Sequence, residues 1–356
     1  MPHSISQTLI GIMSGTSLDG LDLACVKFKP TQNNIDWEWI ATDCIPYTQH
    51  WRKKLNNAHL LDGQDLMQLD ANYGRYLGEQ VNLFIRKHQL ENIDAIASHG
   101  HTIFHQPKKG FTLQIGHGAY IQAITNLPVV CDFRSQDVAL GGQGAPLVPI
   151  GDKLLFSEYD ACINLGGFAN ISFDNLEGDR IAFDIAPVNY VLNYYAANLG
   201  LPYDAEGKIA SKGNIKPDLL SELNDLAFYK QLGPKSLGRE WVENIIFPML
   251  KNHHQSPEDI LATFSAHTAY QIVQVLNQNN FQQVLFSGGG ALNTFLMQII
   301  QNQTHAEIII ADDQLLNYKE ALVFALLGYL KLQNQTNILK TVTGASRDSS
   351  AGVIYG

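Results

Sequence analysis

The sequence has little cysteine, few basic residues and no long apolar run. Its 356 residues include 4 cysteines and no Cys-x-x-Cys pair, which argues against a disulfide framework and a cysteine-based zinc site. We expect Cys25, Cys44, Cys131 and Cys162 to be reduced, buried thiols. The 24 lysines and arginines are outnumbered by 34 aspartates and glutamates, and the net charge of −10 disfavours nucleic acid and anionic membranes as general partners.

Targeting and membrane-spanning segments are also not expected. The N-terminus lacks the basic start and apolar stretch of a signal peptide. The longest apolar run, in Ala321–Leu330, is too short to cross a bilayer. Hydrophobic residues make up 45% of the chain, which is enough for a large core, and the length indicates about two domains. We therefore expect a cytoplasmic protein with no membrane or nucleic-acid partner.

Strands and helices alternate in both halves of the chain. The apolar patterns predict strands at Thr8–Thr16, Leu21–Phe28, Trp37–Cys44, Asp94–Ser98, Thr112–Ile115, Val129–Phe133, Ala161–Phe173 (two strands around Gly-Gly), Arg180–Ile185, Gln283–Phe286 and, as a buried strand, Glu307–Asp312. They predict helices at Leu66–Lys87, between the strands at Thr112 and Val129, from near Pro187, at Pro257–Asn277, after the triple glycine, and at Tyr318–Leu332. Each half thus opens with a glycine-turned meander, which predicts two similar α/β domains with mixed sheets flanked by helices. We expect domains at 1–135 and 136–356, with the segment from about residue 340 returning to the first.

Three glycine-rich turns follow predicted strands. They are Gly15–Asp22, Asn164–Asn170 and Ser287–Asn293. Each can be an ordinary tight turn, but main-chain N–H groups in such turns also bind phosphate. We expect one turn from each half to bind a polyphosphate, and the triple glycine to leave room for adenosine. This pattern indicates an ATP site in a cleft. Asp19 and Asp22 can hold Mg²⁺ directly or through water.

Seven segments resemble one family. They are GIMSGTSLDGLD, SHGHTIFHQP, CDFRSQDVALGGQGAPLVP, INLGGFANISF, KSLGREW, KEALVFALLGY and TGASRDSSAGVIYG. In this order they are similar to the signature segments of the anhydro-N-acetylmuramic acid kinases, in the actin, heat-shock ATPase and sugar kinase superfamily. The resemblance covers nearly the whole chain. It implies two ribonuclease-H-like (actin-type ATPase) domains with a cleft between them, and usually a homodimer.

The resemblance also implies an activity. It is the ATP- and Mg²⁺-dependent opening and phosphorylation of 1,6-anhydro-N-acetylmuramic acid, giving N-acetylmuramic acid 6-phosphate in cell-wall recycling. The residues assigned to ATP are Gly15, Thr16, Ser17, Leu18, Asp19, Gly20, Leu21, Asp22, Gly166, Gly167, Asn170, Gly288, Gly289, Gly290 and Asn293.

Asp184 is the predicted catalytic base. A water that attacks the anomeric carbon needs a carboxylate to orient it and take its proton. Asp184 ends a predicted strand beside the second glycine turn. The family's segment usually reads FDTGPxN, and here Ile185 and Ala186 replace threonine and glycine, which puts any contact of that threonine in doubt. The alternative role of Asp184 is to cap the following helix.

The residues assigned to the sugar lie mainly between the predicted domains. Arg134 suits the lactyl carboxylate of muramic acid because a guanidinium binds carboxylate through two hydrogen bonds. The alternative is a structural Arg–Asp cluster. The complete substrate set is His99, Asp132, Arg134, Asp137, Gln143, Asn189 and Glu320. His99, His101 and His105 form a weak zinc pattern because companion carboxylates or cysteines are missing. The loop of Lys235, Ser236 and Arg239 either shapes the sugar pocket or simply precedes a capped helix.

Two other functions remain open at this point. The first is an ordinary sugar kinase that phosphorylates a free hydroxyl and uses no water at the anomeric carbon. The second is a nucleotide-gated actin-like binding or filament protein, which would need an extra assembly surface or appendage.

Overall fold

The structure is a computed structural model, and it describes residues 6–15, 18–31, 34–231 and 234–356. Its strands are β1 (Gln7–Ser14), β2 (Gly20–Pro30), β3 (Ile35–Pro46), β4 (Ala95–Gln106), β5 (Phe111–Ile115), β6 (Val129–Cys131), β7 (Ala161–Leu165), β8 (Phe168–Asp174), β9 (Arg180–Pro187), β10 (Gln283–Ser287), β11 (Glu307–Ile310) and β12 (Val353–Tyr355). Its α-helices are α1 (Gln49–Asn57), α2 (Gly63–His88), α3 (Gly118–Thr125), α4 (Ser135–Ala139), α5 (Pro149–Leu155), α6 (Asn189–Ala197), α7 (Pro217–Asn224), α8 (Arg239–Trp241), α9 (Phe247–Asn252), α10 (Pro257–Gln278), α11 (Thr294–Gln303), α12 (Asp313–Leu332) and α13 (Lys340–Thr343).

The chain divides by its internal contacts into two units. The first unit comprises residues 1–155 and 318–356, and the second comprises residues 156–317. The division expected from the sequence, after residue 135 and with a return from about residue 340, remains a prediction about the domains.

The two sheets share a core strand plan, to which the first sheet adds β12 and β5. In the first unit the order is β12-β6-β4-β1-β2-β3, with β5 paired to β4. In the second unit it is β11-β10-β7-β8-β9. Each sheet has an antiparallel three-strand meander, β1–β3 or β7–β9, whose first strand pairs in parallel with the next core strand. The prediction of two α/β units with mixed sheets of the ribonuclease-H-like type is confirmed.

Close packing of a helix on the first sheet depends on two glycines. A side chain at Gly11 in β1 would collide with the backbone of Ala321 in α12. A side chain at Gly328 in α12 would lie 2.5 Å from the Cβ of Ala97 in β4. Glycine at both positions therefore lets α12 approach the backbones of two central strands closely.

The second unit is built around α10. This helix starts at Ser256, whose side chain accepts a hydrogen bond from Asp259 N. Its residues from Ile260 to Ala269 are buried, because it packs against α6, α7, α11 and β9. Among them is His267, whose ring bonds to Asn224 and Tyr229.

The helix expected from near Pro187 is confirmed, since α6 begins at Asn189, although Pro187 itself ends β9 opposite Phe168. Two other local expectations are wrong. β11 lies at the edge of its sheet beside β10 and is half-exposed, so the expectation of a buried strand is wrong. Cys44 is exposed and Cys131 half-buried, although all four cysteines are free.

Within the described ranges, no helix combines the length and the apolar character that crossing a bilayer would need.

Candidate active site

The β1–β2 loop of the first unit is shaped by a left-handed residue. Leu18 has φ of 60°, and its N–H donates to the Gly15 carbonyl at 3.3 Å. Gly20 does not adopt positive φ; its missing side chain makes room for the Ile45 carbonyl, which a Cβ would approach to 2.7 Å. The Leu21 side chain lies in the core. The ATP assignments of Thr16 and Ser17 fall outside the described residues.

Asp22 and Asp19 make up a small acidic site beside this loop. Burial raises the pKa of Asp22, and Asp19 raises it further, while a hydrogen bond with Cys44 opposes the shift. A divalent cation would offset the repulsion between two such carboxylates. Mg²⁺ usually takes one or two protein carboxylates plus water and phosphate oxygens, so the donor set fits it. In the described chain no group of three or more His, Cys, Asp or Glu forms a metal site.

Arg134 forms the centre of a buried polar cluster in the first unit. Its Nε and Nη2 donate to His99 Nε2 at 3.2 and 2.9 Å, and its Nη1 donates to the Gly144 carbonyl at 2.6 Å. Burial lowers the pKa of Arg134 to about 10, and Glu320 and Asp137 oppose that shift. Burial is the main reason that the pKa of His99 lies well below its usual range, and the charge of Arg134 is the second reason. His99 is therefore a neutral acceptor that aims the guanidinium.

The other two histidines of the weak zinc pattern bind elsewhere. His101 Nδ1 is 2.9 Å from Ser14 Oγ, and His105 Nδ1 is 3.2 Å from Thr112 Oγ1. Since His99 also has its own partner, the three rings do not converge on one point.

Glu320 lies in the first turns of α12 and is electrostatically coupled to the Arg134 cluster. The Glu320 side chain is exposed to solvent, yet the protein atoms around its carboxylate remove enough water to raise its pKa. Both observations fit a carboxylate that lies in a recess open to water. Arg134 and Lys319 lower this pKa and Asp22 raises it. Glu320 therefore links the predicted sugar residues electrostatically to the predicted metal carboxylate.

The remaining acidic residues near Arg134 have partners within the protein. Asp137 is fully buried; one oxygen accepts from Gly144 N at 2.7 Å and the other from the Thr343 hydroxyl at 2.7 Å. Asp132 accepts from the hydroxyl of Ser135 at 2.6 Å at the start of α4. Asp137 thus holds the glycine-rich loop against Arg134.

Gln143 is the one predicted sugar residue of this loop whose side chain is exposed. Its backbone N–H donates to the Thr343 carbonyl at 2.8 Å, so the loop is anchored while the side chain faces solvent. The sugar-binding roles of Asp132, Asp137 and Gln143 stay predictions.

In the second unit, the two predicted glycine turns pack on each other. Gly288 has φ of 80°, and a Cβ there would lie 2.6 Å from Asn164 Oδ1. A Cβ at Gly290 would lie 2.7 Å from the Leu165 side chain, whereas Gly289 has open space around it. The Gly167 carbonyl accepts from Val188 N at 2.8 Å, which joins the hairpin to the start of α6. Gly288 and Gly290 are thus required by packing, and Gly289 is the glycine free to face a ligand.

The asparagines of these turns differ in how much they bind within the protein. Asn189 Nδ2 donates to the Leu165 carbonyl at 3.3 Å. Asn293 is buried and caps α11 by accepting from Leu296 N at 3.1 Å. Asn170 is exposed on β8, between Asn164 on β7 and Asp184 on β9 in the register of the sheet. Asn170 therefore shares a sheet face with the predicted base.

Asp184 lies inside β9 and is tied to the loop before α8. Its Oδ2 accepts from Leu237 N at 2.8 Å and from Ser236 Oγ at 3.2 Å, and its own N–H donates to the Lys235 carbonyl at 2.9 Å. Burial raises its pKa, and the bonds from Leu237 and Ser236 oppose the rise. Because α6 begins five residues later, Asp184 is not that helix's cap. No hydrogen bond within the described chain is recorded for its Oδ1.

Sequence reasoning missed the anchors of this loop and of the turn beside α11. Lys235 Nζ donates to the Phe228 carbonyl at 3.1 Å and lies 4.6 Å from the centre of that ring. Gly207, with φ of 71°, packs against Asn293, and Thr294 Oγ1 donates to the Glu206 carbonyl at 2.8 Å. The Asp-x-x-Gly spacing at residues 204–207 was the sequence signal for the turn beside α11.

Two comparisons of the sequence with known proteins identify one family. A family model described as anhydro-N-acetylmuramic acid kinase matches residues 7–356. The anhydro-N-acetylmuramic acid kinase of Francisella tularensis subsp. novicida is 36% identical, covering 94% of this chain and 95% of that protein. The protein of the same name from Mannheimia succiniciproducens is 35% identical over 99% of both. Among solved structures, (R)-2-hydroxyglutaryl-CoA dehydratase component A of Acidaminococcus fermentans aligns at 12% identity with a TM-score of 0.46, covering 92% of this chain and 99% of that chain.

Proposed function

The chain belongs to the anhydro-N-acetylmuramic acid kinase family, and on that premise we propose that it converts 1,6-anhydro-N-acetylmuramic acid, ATP and water into N-acetylmuramic acid 6-phosphate and ADP. The observation that carries the proposal is the state of Asp184. One carboxylate oxygen accepts two hydrogen bonds, from Ser236 Oγ and Leu237 N just before α8, and burial raises the pKa of Asp184. A carboxylate held in this way and tuned upward suits a general base better than a surface aspartate.

The reaction joins two displacements, and each of them forms one bond and breaks another. Asp184 takes a proton from water as the water oxygen bonds to the anomeric carbon, and the bond from that carbon to O6 breaks. The released O6 attacks the γ-phosphorus, and the bond to the β–γ bridging oxygen breaks, giving ADP. Because phosphoryl transfer depends mainly on positioning and on offsetting negative charge, fixed donors and a cation are needed beside the β1–β2 loop.

The sugar is assigned to the Arg134 cluster. The neutral His99 and the Gly144 carbonyl orient the guanidinium, which suits it to bind the lactyl carboxylate. Glu320, a recessed acceptor nearby, suits a sugar hydroxyl. ATP is assigned to the glycine-rich turns predicted from the sequence, and Gly289 and Gly167 are the glycines whose main chain is open to close approach. Asp19 and Asp22 would hold Mg²⁺, which supplies positive charge to the phosphates when bound.

Assembly as a homodimer and a cytoplasmic location are parts of this proposal. They are supported by the family resemblance alone.

A turnover experiment in ¹⁸O-labelled water tests the proposed reaction. The protein is incubated with Mg²⁺, ATP and the anhydro sugar, and the product is analysed by mass spectrometry. We expect one added phosphate and one ¹⁸O at the anomeric carbon in each product molecule. A phosphorylated product that keeps the anhydro bridge, or phosphorylation of only the free reducing sugar, would contradict the proposal and favour an ordinary sugar kinase.

A further inference from the structure

Tyr47 contacts both ends of the loop that joins β1 to β2. Its backbone N–H donates to the Asp19 carbonyl at 3.3 Å. Its hydroxyl donates to Ser14 Oγ at 2.6 Å. Ser14 is the last residue of β1, and Asp19 directly precedes β2. One residue therefore spans the loop Gly15–Asp19 from its first strand to its second.

The hydroxyl of Tyr47 belongs to a buried chain of hydrogen bonds. The Tyr73 hydroxyl is 2.5 Å from the Tyr47 hydroxyl, and Ser14 Oγ is 2.9 Å from His101 Nδ1. All four side chains are buried. Burial lowers the pKa of His101 to about 4, so near neutral pH its ring is uncharged and Nδ1 can accept. With Tyr47 donating to Ser14 and Nδ1 of His101 as the acceptor, the bonds can run in one direction, from Tyr73 through Tyr47 and Ser14 to His101.

This chain joins four parts of the first unit at the start of the loop. Ser14 ends β1, His101 lies opposite it on β4, and Tyr73 lies on α2. Tyr47 directly precedes the capping residue of α1, Thr48. Because buried hydroxyls that lose a partner cost much more than exposed ones, the chain fixes where the loop leaves β1. Among the described residues of the loop, Leu18 is left-handed and its N–H donates to the Gly15 carbonyl over a long 3.3 Å, so contacts at the two ends of the loop contribute to its geometry.

We propose that Tyr47 is a positioning residue that sets the geometry of the loop Gly15–Asp19 for the nucleotide. The inference rests on the proposed function, which assigns the ATP phosphates to this loop. Tyr47 acts through Ser14 and the Asp19 carbonyl, at the two described ends of the loop.

Two variants and a matched control test the proposal. Tyr47→Phe keeps the ring and the backbone N–H and removes only the hydroxyl. Ser14→Ala removes the partner of the same bond from the other side, which provides a second route if one variant is unstable. Tyr76→Phe is the control, because Tyr76 packs in the same aromatic group, 4.7 Å from Trp51 and 6.0 Å from Tyr73, and no hydrogen bond is recorded for its hydroxyl in the described residues. Thermal unfolding confirms that each variant is folded.

The first readout needs no ligand. We expect amide hydrogen exchange in the segment 14–20 to be roughly five-fold faster in Tyr47→Phe and Ser14→Ala, since the loss of one buried hydrogen bond costs about 1 kcal/mol. Tyr76→Phe should match the unmodified protein. Equal exchange in all four proteins, or faster exchange in the control as well, would overturn the proposal.

The second readout is calorimetric binding of the Mg²⁺ complex of AMPPNP and, separately, of the anhydro sugar. We expect the nucleotide analogue to bind roughly ten-fold more weakly to the two variants, with sugar affinity unchanged. Equal weakening for both ligands would overturn the specific role in positioning the nucleotide loop. Faster exchange with unchanged AMPPNP affinity would support the contact with the loop but overturn the assignment of the nucleotide to it, so the two failures are distinguishable.

Discussion

Replacing Asp184 by asparagine separates its two roles. Asparagine has nearly the same shape, and its carbonyl oxygen can accept the bonds that Leu237 N and Ser236 Oγ now make to Oδ2 at 2.8 and 3.2 Å. The loop before α8 should therefore keep its position. The amide cannot take a proton from water, so the general base is lost while the anchor remains.

The expected loss follows from the contribution of a general base. Positioned bases contribute roughly 10²–10⁴-fold to rate, which is about 3–5 kcal/mol of barrier. We expect kcat of Asp184→Asn to fall by that factor. The affinity for AMPPNP should stay within about two-fold, since the change leaves the glycine turns intact.

The assay measures ADP release in the presence of the anhydro sugar, with product mass as a check. Asp184→Ala is the companion variant, because it removes the base and also leaves Leu237 N and the Ser236 hydroxyl without a partner. It should lose turnover equally and lose about 1–3 kcal/mol of stability as well. Turnover in Asp184→Asn close to that of the unmodified protein would refute the reasoning about the base.

Three further predictions concern the surroundings of these sites. Arg134→Lys, which loses the fork of N–H donors, should raise KM for the sugar by roughly 10–100-fold and leave KM for ATP nearly unchanged; equal changes in both would contradict the assignment. Ser236→Ala removes a donor that lowers the pKa of Asp184, so the acidic limb of the kcat/KM profile should move to higher pH, with roughly five-fold less activity below it; an unmoved limb would count against Asp184 as the titrating base. Gly288→Ala should cost about 1–3 kcal/mol of stability in urea unfolding, because φ is 80° and a Cβ would meet Asn164, while Gly289→Ala, with open space around it, should cost under about 1 kcal/mol; similar losses in both would show that packing at Gly288 is not the cause.

The element pattern followed from local signals. Alternating and continuous apolar runs identified the strands, and the spacing of Leu66, Leu69 and Tyr73 identified α2. Exceptions arose where a neighbour decided the outcome. Pro187 is compatible with a first helical turn, yet its carbonyl accepts from Thr268 on α10 at 3.2 Å and it completes β9. β11 is apolar enough for a central strand but lies at an edge.

In the candidate site, too, some features could be predicted from local sequence and others depend on distant neighbours. Glycine turns are readable because glycine permits positive φ and close approach wherever it stands, as Gly288 and Gly290 do. The sequence could not say which of them face a ligand and which only pack. Asp184 was identified by its place at a predicted strand end, but its bond to Leu237 joins residues 53 positions apart.

By itself, the sequence determined the order of strands and helices, the doubled α/β plan and the residue types available for phosphate, carboxylate and proton transfer. These properties depend on residues that lie close to one another in the sequence. Only the tertiary structure decided that His99 orients the Arg134 guanidinium, that Asp137 holds the glycine-rich loop through Gly144 N, and that Tyr47 contacts both ends of the β1–β2 loop. Such contacts join residues that are far apart in sequence, and they arise from how α12, β4 and the loops pack against one another.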